Sequence, residues 1–247
     1  MPNDRVLILG GTREGRELAS TLASEGYAVI TSLAGATENP VLPVGEVRIG
    51  GCGGAEGLVQ YIRDNGIAAI ADATHPFAAR MSSHAAEAAR IVKLPLLRLE
   101  RPEWTSQAGD RWTSVQSAAE AAEILPVGAR ALVTIGGREI GAFFARDGIS
   151  GVARMIEPFR GRVPPMWNII LQRPPLAFDT EMQLLTQHRI THLVTKNAGS
   201  GDTSAKLEAA RELRLPVIMI ERPAKPRGLV FATSTELCAA LRLQLLP

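Results

Sequence analysis

The stretch that decides the fold is Val6-Leu7-Ile8-Leu9-Gly10-Gly11-Thr12-Arg13-Glu14-Gly15-Arg16-Glu17-Leu18. Its opening apolar run is typical of a parallel-sheet strand that is buried on both faces. Glycines follow, and a helical pattern begins directly after them, so the first N–H groups of the helix can bind a phosphate. The stretch predicts the start of a dinucleotide-binding domain, with a plain strand–turn–helix joint as the alternative.

The turn matches the dinucleotide fingerprint G-x-G-x-x-G imperfectly. Gly10 and Gly15 fit, but Thr12 occupies the place of the middle glycine. We expect Gly11 to supply the missing backbone freedom and the Thr12 hydroxyl to bind a phosphate oxygen. The predicted cofactor contacts from this turn are Gly10, Gly11, Thr12, Arg13, Glu14 and Gly15.

The next predicted strand, residues 26–33, indicates which cofactor is bound. NAD-binding domains carry an acidic residue near the end of this strand, where it holds the ribose 2′-hydroxyl. Here Thr31 and Ser32 stand in its place, and Arg13 can pair with a 2′-phosphate. The sequence therefore favours NADP(H), the alternative being that Arg13 is only a solvated turn residue. Leu33, and Gly51 in a second glycine-rich turn, complete the predicted cofactor contacts.

Strand and helix patterns alternate along the whole chain. This alternation predicts the α/β class, with two Rossmann-like domains of parallel strands flanked by helices and a cleft between them. Residues 101–118 are polar and rich in turn formers, which places the boundary there. We expect an NADP-binding domain over residues 1–100 and a substrate-binding domain over residues 101–247, with the C-terminal helix able to pack back on the first. A capping box, Thr233 with Glu236, marks the start of that helix.

The two halves resemble each other in sequence. Residues 74–102 can be laid on residues 195–223 without a gap, and both segments end in Glu-Arg-Pro. In this overlay His75 falls opposite Lys196. Both are predicted to follow the carboxyl end of a strand, where open α/β sheets bind ligands.

Composition excludes several classes of protein. The chain has 247 residues, 46% hydrophobic and 21% charged, with a net charge of +2, which gives no reason to expect nucleic acid. No run approaches the about 20 apolar residues of a membrane span. The start, Met1–Arg5, leads straight into a strand without a signal peptide, and Cys52 and Cys238 have no metal-binding or disulfide spacing. We expect a cytoplasmic protein with reduced thiols and no metal site, for which a monomer is compatible with the sequence.

His75 is the candidate catalytic residue of the first half. It lies in Asp72-Ala73-Thr74-His75-Pro76, after a predicted strand and ahead of a helix for which Pro76 suits the first position. It can contact nicotinamide, or the substrate as a proton donor. A histidine that only satisfies local backbone groups is the alternative, and we expect a positioning role.

The second half offers groups that bind anions. Lys196, Asn197, Ser200 and Gly201 supply a cation, an amide, a hydroxyl and an exposed backbone before a helix. We expect them to bind substrate carboxylates, the alternatives being a flexible loop or a second nucleotide site. Gly137 with Arg138 forms a weaker cradle, and Arg101 can reach an anion or pair with a glutamate. Among the tryptophans, Trp104 can cover a flat ligand, and Trp112 and Trp167 are as consistent with the core.

Together these motifs resemble the precorrin-6A reductase (cobalt-precorrin-6A reductase) family of cobalamin biosynthesis. The resemblance runs from about residue 5 to the C-terminal helix, and Asp72-Ala73-Thr74-His75-Pro76-Phe77-Ala78 is its most specific part. It also rests on residues 8–15, on Glu100-Arg101-Pro102 and on Thr195-Lys196-Asn197 with Ser200-Gly201. The chain departs from the expected pattern at Ala198-Gly199, where serine-glycine would follow directly.

The resemblance implies NADPH-dependent reduction of one double bond of a tetrapyrrole that bears many carboxylates, which gives precorrin-6B by hydride transfer. Cobalt-containing and cobalt-free substrates both occur in the family. The residues alone also leave open an NADP-dependent reductase of another small substrate, or a non-catalytic NADP-sensing regulator. A non-redox tetrapyrrole enzyme is disfavoured by the glycine-rich opening.

Overall fold

The strands and helices alternate as the sequence predicts. The computed structural model describes residues 4–35 and 37–245. Its strands are β1 (Arg5–Leu9), β2 (Ala28–Leu33), β3 (Glu46–Ile49), β4 (Ile67–Asp72), β5 (Leu96–Leu99), β6 (Arg111–Val115), β7 (Arg130–Thr134), β8 (Ser150–Met155), β9 (Trp167–Leu171), β10 (His192–Lys196), β11 (Pro216–Ile220) and β12 (Leu229–Phe231). Its α-helices are α1 (Arg13–Ser24), α2 (Gly54–Asp64), α3 (Ala79–Val92), α4 (Ala118–Ile124), α5 (Gly141–Phe144), α6 (Phe178–Gln187), α7 (Ala205–Glu212) and α8 (Ser234–Leu245). A 3₁₀ turn spans Gly201–Thr203.

These elements form two units, each built on one parallel sheet. The first unit runs to Pro102 and resumes at Pro223, and the second is Glu103–Arg222. Their strand orders are β3-β2-β1-β4-β5-β12 and β9-β8-β7-β10-β11-β6. Each is the strand order of a dinucleotide-binding fold. The order reverses between β1 and β4 in the first sheet and between β7 and β10 in the second. The predicted fold class, two Rossmann-like domains, is confirmed.

The opening apolar run occupies the centre of the first sheet. Leu7 and Leu9 pack under α2 and α3, whereas Val6 and Ile8 pack under α1 and α8. All four side chains are at most 2% exposed. Burial on both faces explains why this strand is apolar without alternation.

The sixth strand of each sheet does not follow the fifth strand in sequence: β12 comes after the whole second unit, and β6 is the first strand of the second unit. β12 pairs with β5 in the first unit, and β6 pairs with β11 in the second. The N–H of Glu100 donates to Phe231 O at 2.9 Å, and the N–H of Glu221 donates to Val115 O at 2.9 Å. The two Glu-Arg-Pro segments therefore mark the points where the chain passes from one unit to the next.

The division differs from the expected single boundary near residue 101. Residues from Pro223 onward belong to the first unit because β12 extends its sheet, and Leu237, Cys238 and Leu241 of α8 pack against Leu18 of α1. The polar segment 101–118 contains β6, an edge strand with mostly exposed residues, and the start of α4. The capping box of α8 forms as predicted, with the N–H of Glu236 donating to Thr233 Oγ1 at 3.2 Å.

Candidate active site

The glycine turn after β1 has the backbone that a bound phosphate requires. Gly11 has φ +117°, which disfavours any side chain, and a Cβ there would meet no described atom within 4 Å. At Gly15 an added Cβ would lie 3.2 Å from Ala73 Cβ, so this glycine permits close packing of α1 on the end of β4. At Gly10 it would lie 2.7 Å from Thr31 Cγ2. The turn is therefore open at Gly11 and closely packed on either side.

Thr12 has a different role from the one predicted for its hydroxyl. Its Oγ1 donates to Ala73 O at 2.9 Å and accepts from the N–H of Gly15 at 3.0 Å. A hydroxyl has one proton to donate, and Thr12 donates it in the hydrogen bond to Ala73 O. Thr12 therefore caps α1 and ties it to β4, and a phosphate that bound this hydroxyl would have to replace Ala73 O as the acceptor of its proton.

The end of β2 brings Thr31 and Ser32 to the same edge as the turn. Thr31 is 1% exposed, and its Oγ1 makes no hydrogen bond to any described residue. Ser32 Oγ accepts from Nη1 of Arg48 at 3.2 Å. Leu33 is buried, and its carbonyl accepts from the N–H of Gly50 at 2.9 Å.

Arg48, on β3, was not singled out by the sequence analysis. Its Nη2 donates to Gly51 O at 2.7 Å and its Nη1 donates to Gly50 O at 2.8 Å. Gly51 is a predicted cofactor contact, and its carbonyl accepts a hydrogen bond from Arg48. The position of β3 beside β2 in the 3-2-1 strand order is the signal that could have identified Arg48.

The charged residues of the turn are paired within the protein. Arg13 Nε lies 2.8 Å from Glu17 Oε1 on the exposed side of α1. Glu14 Oε2 lies 2.7 Å from Arg101 Nη1. Glu14 and Arg101, predicted to bind cofactor and substrate, therefore form a half-buried ion pair. With Thr12 and Thr74, both line a small pocket at the ends of β1, β4 and β5.

A buried carboxylate at the end of β4, Asp72, fixes Thr74, the residue before His75. Asp72 Oδ1 accepts from Thr74 Oγ1 at 2.7 Å and from the N–H of Thr74 at 3.2 Å, and Asp72 Oδ2 lies 3.3 Å from Arg98 Nε. His75 is exposed, and its Nδ1 accepts from the N–H of Phe77 at 3.2 Å. In a neutral ring this bond assigns the proton to Nε2, where it can be donated to a ligand. His75 thus also satisfies a local backbone group, the N–H of Phe77, which is the alternative role considered for it.

The helix that follows begins later than expected. Residues 75–78 form a turn closed by the N–H of Ala78 donating to His75 O at 2.8 Å, and α3 starts at Ala79. Pro76 is therefore not its first residue. The turn keeps His75 at the carboxyl edge of the sheet.

In the second unit, the groups after β7 and β10 lie together. Gly136 has φ +83°, and Gly137 and Arg138 lead into the turn before α5. Lys196, at the end of β10, forms an ion pair with Glu139. Arg138 is exposed. The predicted cation Lys196 is thus balanced by a carboxylate that the sequence analysis did not consider.

The side chain of Asn197 is buried and bonded to the backbone of Trp104. It is 4% exposed, its Oδ1 accepts from the N–H of Trp104 at 2.9 Å, and its Nδ2 donates to Trp104 O at 3.2 Å. Its carbonyl accepts from Nε of Arg222 at 2.9 Å. The predicted contact of Asn197 with substrate stays a prediction, and its side chain already makes these two hydrogen bonds to Trp104. Ser200 and Gly201 remain at the start of the 3₁₀ turn, with Gly201 exposed.

A buried charged cluster, formed by Arg154, Glu181 and Lys206, lies behind this loop. Arg154 Nη1 lies 2.7 Å from Glu181 Oε1, with side chains 5% and 0% exposed. Lys206 Nζ donates to Thr203 O at 2.8 Å and lies 4.6 Å from the centre of the Trp104 ring. Sequence analysis missed all three, although Arg154 interrupts an apolar strand and Lys206 stands between Ala205 and Leu207 in a helix.

Trp104 borders a cavity of about 210 Å³, with Trp112 and Arg211 among its lining residues. The ring of Trp104 contacts the Lys206 amine, and its backbone N–H donates to Asn197 Oδ1. Trp104 therefore connects the loop after β10 to the buried cluster. Trp112 packs against the core of the second unit, and Trp167 is 5% exposed.

Burial lowers the pKa of Lys206 to about 7, with a further lowering by Arg154. The unfolded chain keeps this proton up to the usual lysine pKa, whereas the folded chain releases it above about pH 7. The free energy of unfolding should therefore gain a contribution that rises with pH from about 7 to about 10. Urea unfolding of wild type and Lys206→Met should show that the free energy of unfolding of wild type, relative to that of the variant, rises over this pH range. A relative value that does not change with pH would refute the assignment.

Other kinds of site can be judged for the described part of the chain. There, no three His, Cys, Asp or Glu side chains are grouped to hold a metal ion. Both cysteines are free, and burial raises the pKa of the Cys238 thiol to about 11. Within the described ranges, no helix combines the length and apolar character needed to cross a membrane.

The family model described as precorrin-6x reductase CbiJ/CobK matches residues 5–242. The precorrin-6A reductase of Rhodococcus erythropolis is 47% identical over 224 residues, which covers 90% of each chain. The cobalt-precorrin-6A reductase of Priestia megaterium is 33% identical, over 96% of this chain and 97% of the relative. A solved structure titled CobK precorrin-6A reductase is 41% identical, with a TM-score of 0.93, and covers 98% of this chain and 97% of that one. The chain therefore belongs to the precorrin-6x reductase family, as its motifs predicted.

Proposed function

We propose that this chain reduces a ring double bond of precorrin-6A with NADPH, giving precorrin-6B in cobalamin biosynthesis. The observation that carries the proposal is the 47% identity to a precorrin-6A reductase over 90% of both chains. Relatives named for the cobalt-containing substrate are 26–33% identical, whereas those named for precorrin-6A are 40–47% identical. This difference supports the cobalt-free substrate.

The residues of the first unit fit NADP(H). Gly11 leaves open space at the start of α1, where backbone N–H groups can hold the pyrophosphate. The orphan hydroxyl of Thr31 and the hydroxyl of Ser32 stand at the end of β2, where an acid would mark an NAD site. When bound, NADPH supplies the hydride. The protein's own contribution is to position the two ligands and exclude competing reactions.

The second unit supplies the cations that a polycarboxylate substrate needs. Arg138 and Lys196 lie after β7 and β10, beside the open backbone of Gly136 and Gly201. In this proposal substrate carboxylates compete with Glu139 for Lys196. The free thiols of Cys52 and Cys238 support the proposed cytoplasmic location.

The proposed reaction is tested by oxidation of the cofactor. Purified chain should oxidise NADPH only when precorrin-6A is present, with a lower kcat/KM for NADH. The decrease in nicotinamide absorbance and the mass of the tetrapyrrole would both be followed. Oxidation that does not depend on the tetrapyrrole, or equal use of NADH, would contradict the proposal.

Lys196→Ala should raise KM for precorrin-6A by about 10- to 100-fold, because a charged hydrogen bond to the substrate is lost. NADPH affinity should stay unchanged, since the cofactor motif lies in the first unit. Glu139→Gln is the matched control, and it should keep or lower KM because it releases Lys196 from its partner. A Lys196→Ala enzyme that lost NADPH but kept substrate affinity would show that the two units have exchanged roles.

His75→Ala should retain turnover, with a loss smaller than the about 100- to 10,000-fold typical of removing a general acid. The reason is that the ring positions ligands through Nε2–H, and the proton can reach the reduced macrocycle from elsewhere. His75→Asn should lose less, because its amide keeps a donor near the same place. The rates would be measured as a function of pH. A larger loss, with a limb of the wild-type pH profile missing, would identify His75 as the proton donor.

A further inference from the structure

The guanidinium of Arg48 is fixed beside the end of β2. Its Nη1 donates to Ser32 Oγ at 3.2 Å, to Gly50 O at 2.8 Å and to Cys52 Sγ at 3.3 Å. Its Nη2 donates to Gly51 O at 2.7 Å. Each of these contacts restrains the group, so Arg48 is held in place before any ligand arrives.

Its location is the one that distinguishes the two nicotinamide cofactors. In a sheet of this strand order, a residue near the end of β2 marks the ribose 2′ position, where an acid selects NAD and an arginine accommodates the 2′-phosphate. Ser32 stands next to last in β2, and the β2–β3 register places Arg48 directly opposite it. Arg48 therefore lies, on the neighbouring strand, beside the residue that corresponds to this position.

Arg48 also keeps donors for a phosphate. An arginine has five N–H groups. The contacts above leave Nε and the second proton of Nη2 without an acceptor among the described residues. The guanidinium carbon lies 5.1 Å from the centre of the Tyr61 ring, which supports one face of the group. A planar, supported fork of this kind suits an oxyanion better than a mobile cation does.

We propose that Arg48 binds the 2′-phosphate and is the main residue that selects NADPH over NADH. This inference rests on the proposed function, because it assumes that the first unit holds the dinucleotide. It differs from the sequence-based expectation for Arg13. Arg13 has a side chain 59% exposed, where solvent and salt screen its charge, so it contributes less selectivity than Arg48.

The test uses two small probes that carry no nicotinamide: adenosine 2′,5′-bisphosphate and 5′-AMP. Calorimetric titration would give the affinity of the full chain for each. Arg48→Met should lower the affinity for the bisphosphate by about 10- to 100-fold. The affinity for 5′-AMP should stay within about twofold of the wild-type value. Arg48→Lys keeps the charge without the planar fork, so it should lose less affinity for the bisphosphate. Arg13→Ala should also lose less of this affinity than Arg48→Met.

Arg63→Met is the matched control, because Arg63 is an exposed arginine in the last turn of α2, whose start follows the Gly50–Gly53 loop. It removes the same charge and should leave both affinities unchanged. If Arg48→Met does not fold, Arg48→Lys carries the test. Equal weakening of both probes would assign Arg48 a structural role and overturn the inference, as would an unchanged preference. A wild type without any preference for the bisphosphate would instead refute NADP(H) selectivity itself.

Discussion

Arg154→Met is expected to lower the free energy of unfolding by about 3–5 kcal/mol, because it leaves the carboxylate of Glu181 buried without its partner. Glu181 is fully buried, and its Oε2 already has no hydrogen-bond partner among the described residues. Lys206 is a nearby amine that could balance the carboxylate, but burial opposes its charged form. Urea unfolding of the two proteins at one pH measures the difference.

The control for this prediction is an exposed pair of the same geometry. Arg173 Nη2 also lies 2.7 Å from its partner, Glu157 Oε1, but the two side chains are 44% and 25% exposed. Arg173→Met should cost at most about 1 kcal/mol. The double variant Arg154→Met/Glu181→Leu should recover most of the stability at a pH above about 7, where Lys206 is mainly neutral and no carboxylate is left buried without a partner. A cost for Arg154→Met no larger than that of the control would show that burial does not govern this pair.

Asp72→Ala is expected to destabilise the first unit by a similar amount, about 3–5 kcal/mol. It removes the carboxylate that faces the buried Arg98, and it removes the acceptor of both Thr74 hydrogen bonds. Thr74 precedes His75, so kcat/KM should also fall in protein that remains folded. Thermal or urea unfolding, together with the turnover assay, measures both effects.

Asp64→Ala is the matched control, because Asp64 is exposed on α2 and accepts one hydrogen bond, from Gln60. Its loss should stay within about 0.5 kcal/mol, as for most surface substitutions. Asp72→Asn keeps an acceptor for Thr74 but removes the charge facing Arg98, so it separates the two roles. If Asp72→Asn had wild-type activity and stability, the ion pair with Arg98 would have no measurable role.

The central strands and the glycine turn could be predicted because their signals are local. The Val6–Leu9 run is apolar because both faces of β1 are covered, and Gly10, Gly11 and Gly15 follow from the turn that starts α1. His75 was placed correctly at the end of β4 for the same reason. A strand pattern with the turn next to it fixes where such residues lie.

The edge strands could not be predicted in the same way. β6 is mostly exposed and β12 has three residues, so neither carries a strong apolar pattern. Their pairing with β11 and β5 decides where each unit ends. The expected boundary therefore did not include β12 in the first unit, although the return of the C-terminal helix to that unit was allowed for.

Side-chain partners far apart in sequence were also beyond the reach of local patterns. Arg101 and Glu14 are 87 positions apart, and Asn197 lies 93 positions from Trp104. Each residue type fitted an anion or amide site when considered alone. Only the fold shows that Asn197 is occupied by the backbone of Trp104 and that Arg48 stands beside Ser32.

The most direct test of the central claim is isotope transfer from NADPH to the tetrapyrrole. The chain would be incubated with precorrin-6A and NADPH deuterated at one or the other C4 position, and the product mass would be measured. We predict that one of the two labelled cofactors passes its deuterium to the product, as direct hydride transfer requires. A reduced product without the label from either cofactor, or no reduced product at all, would contradict the account.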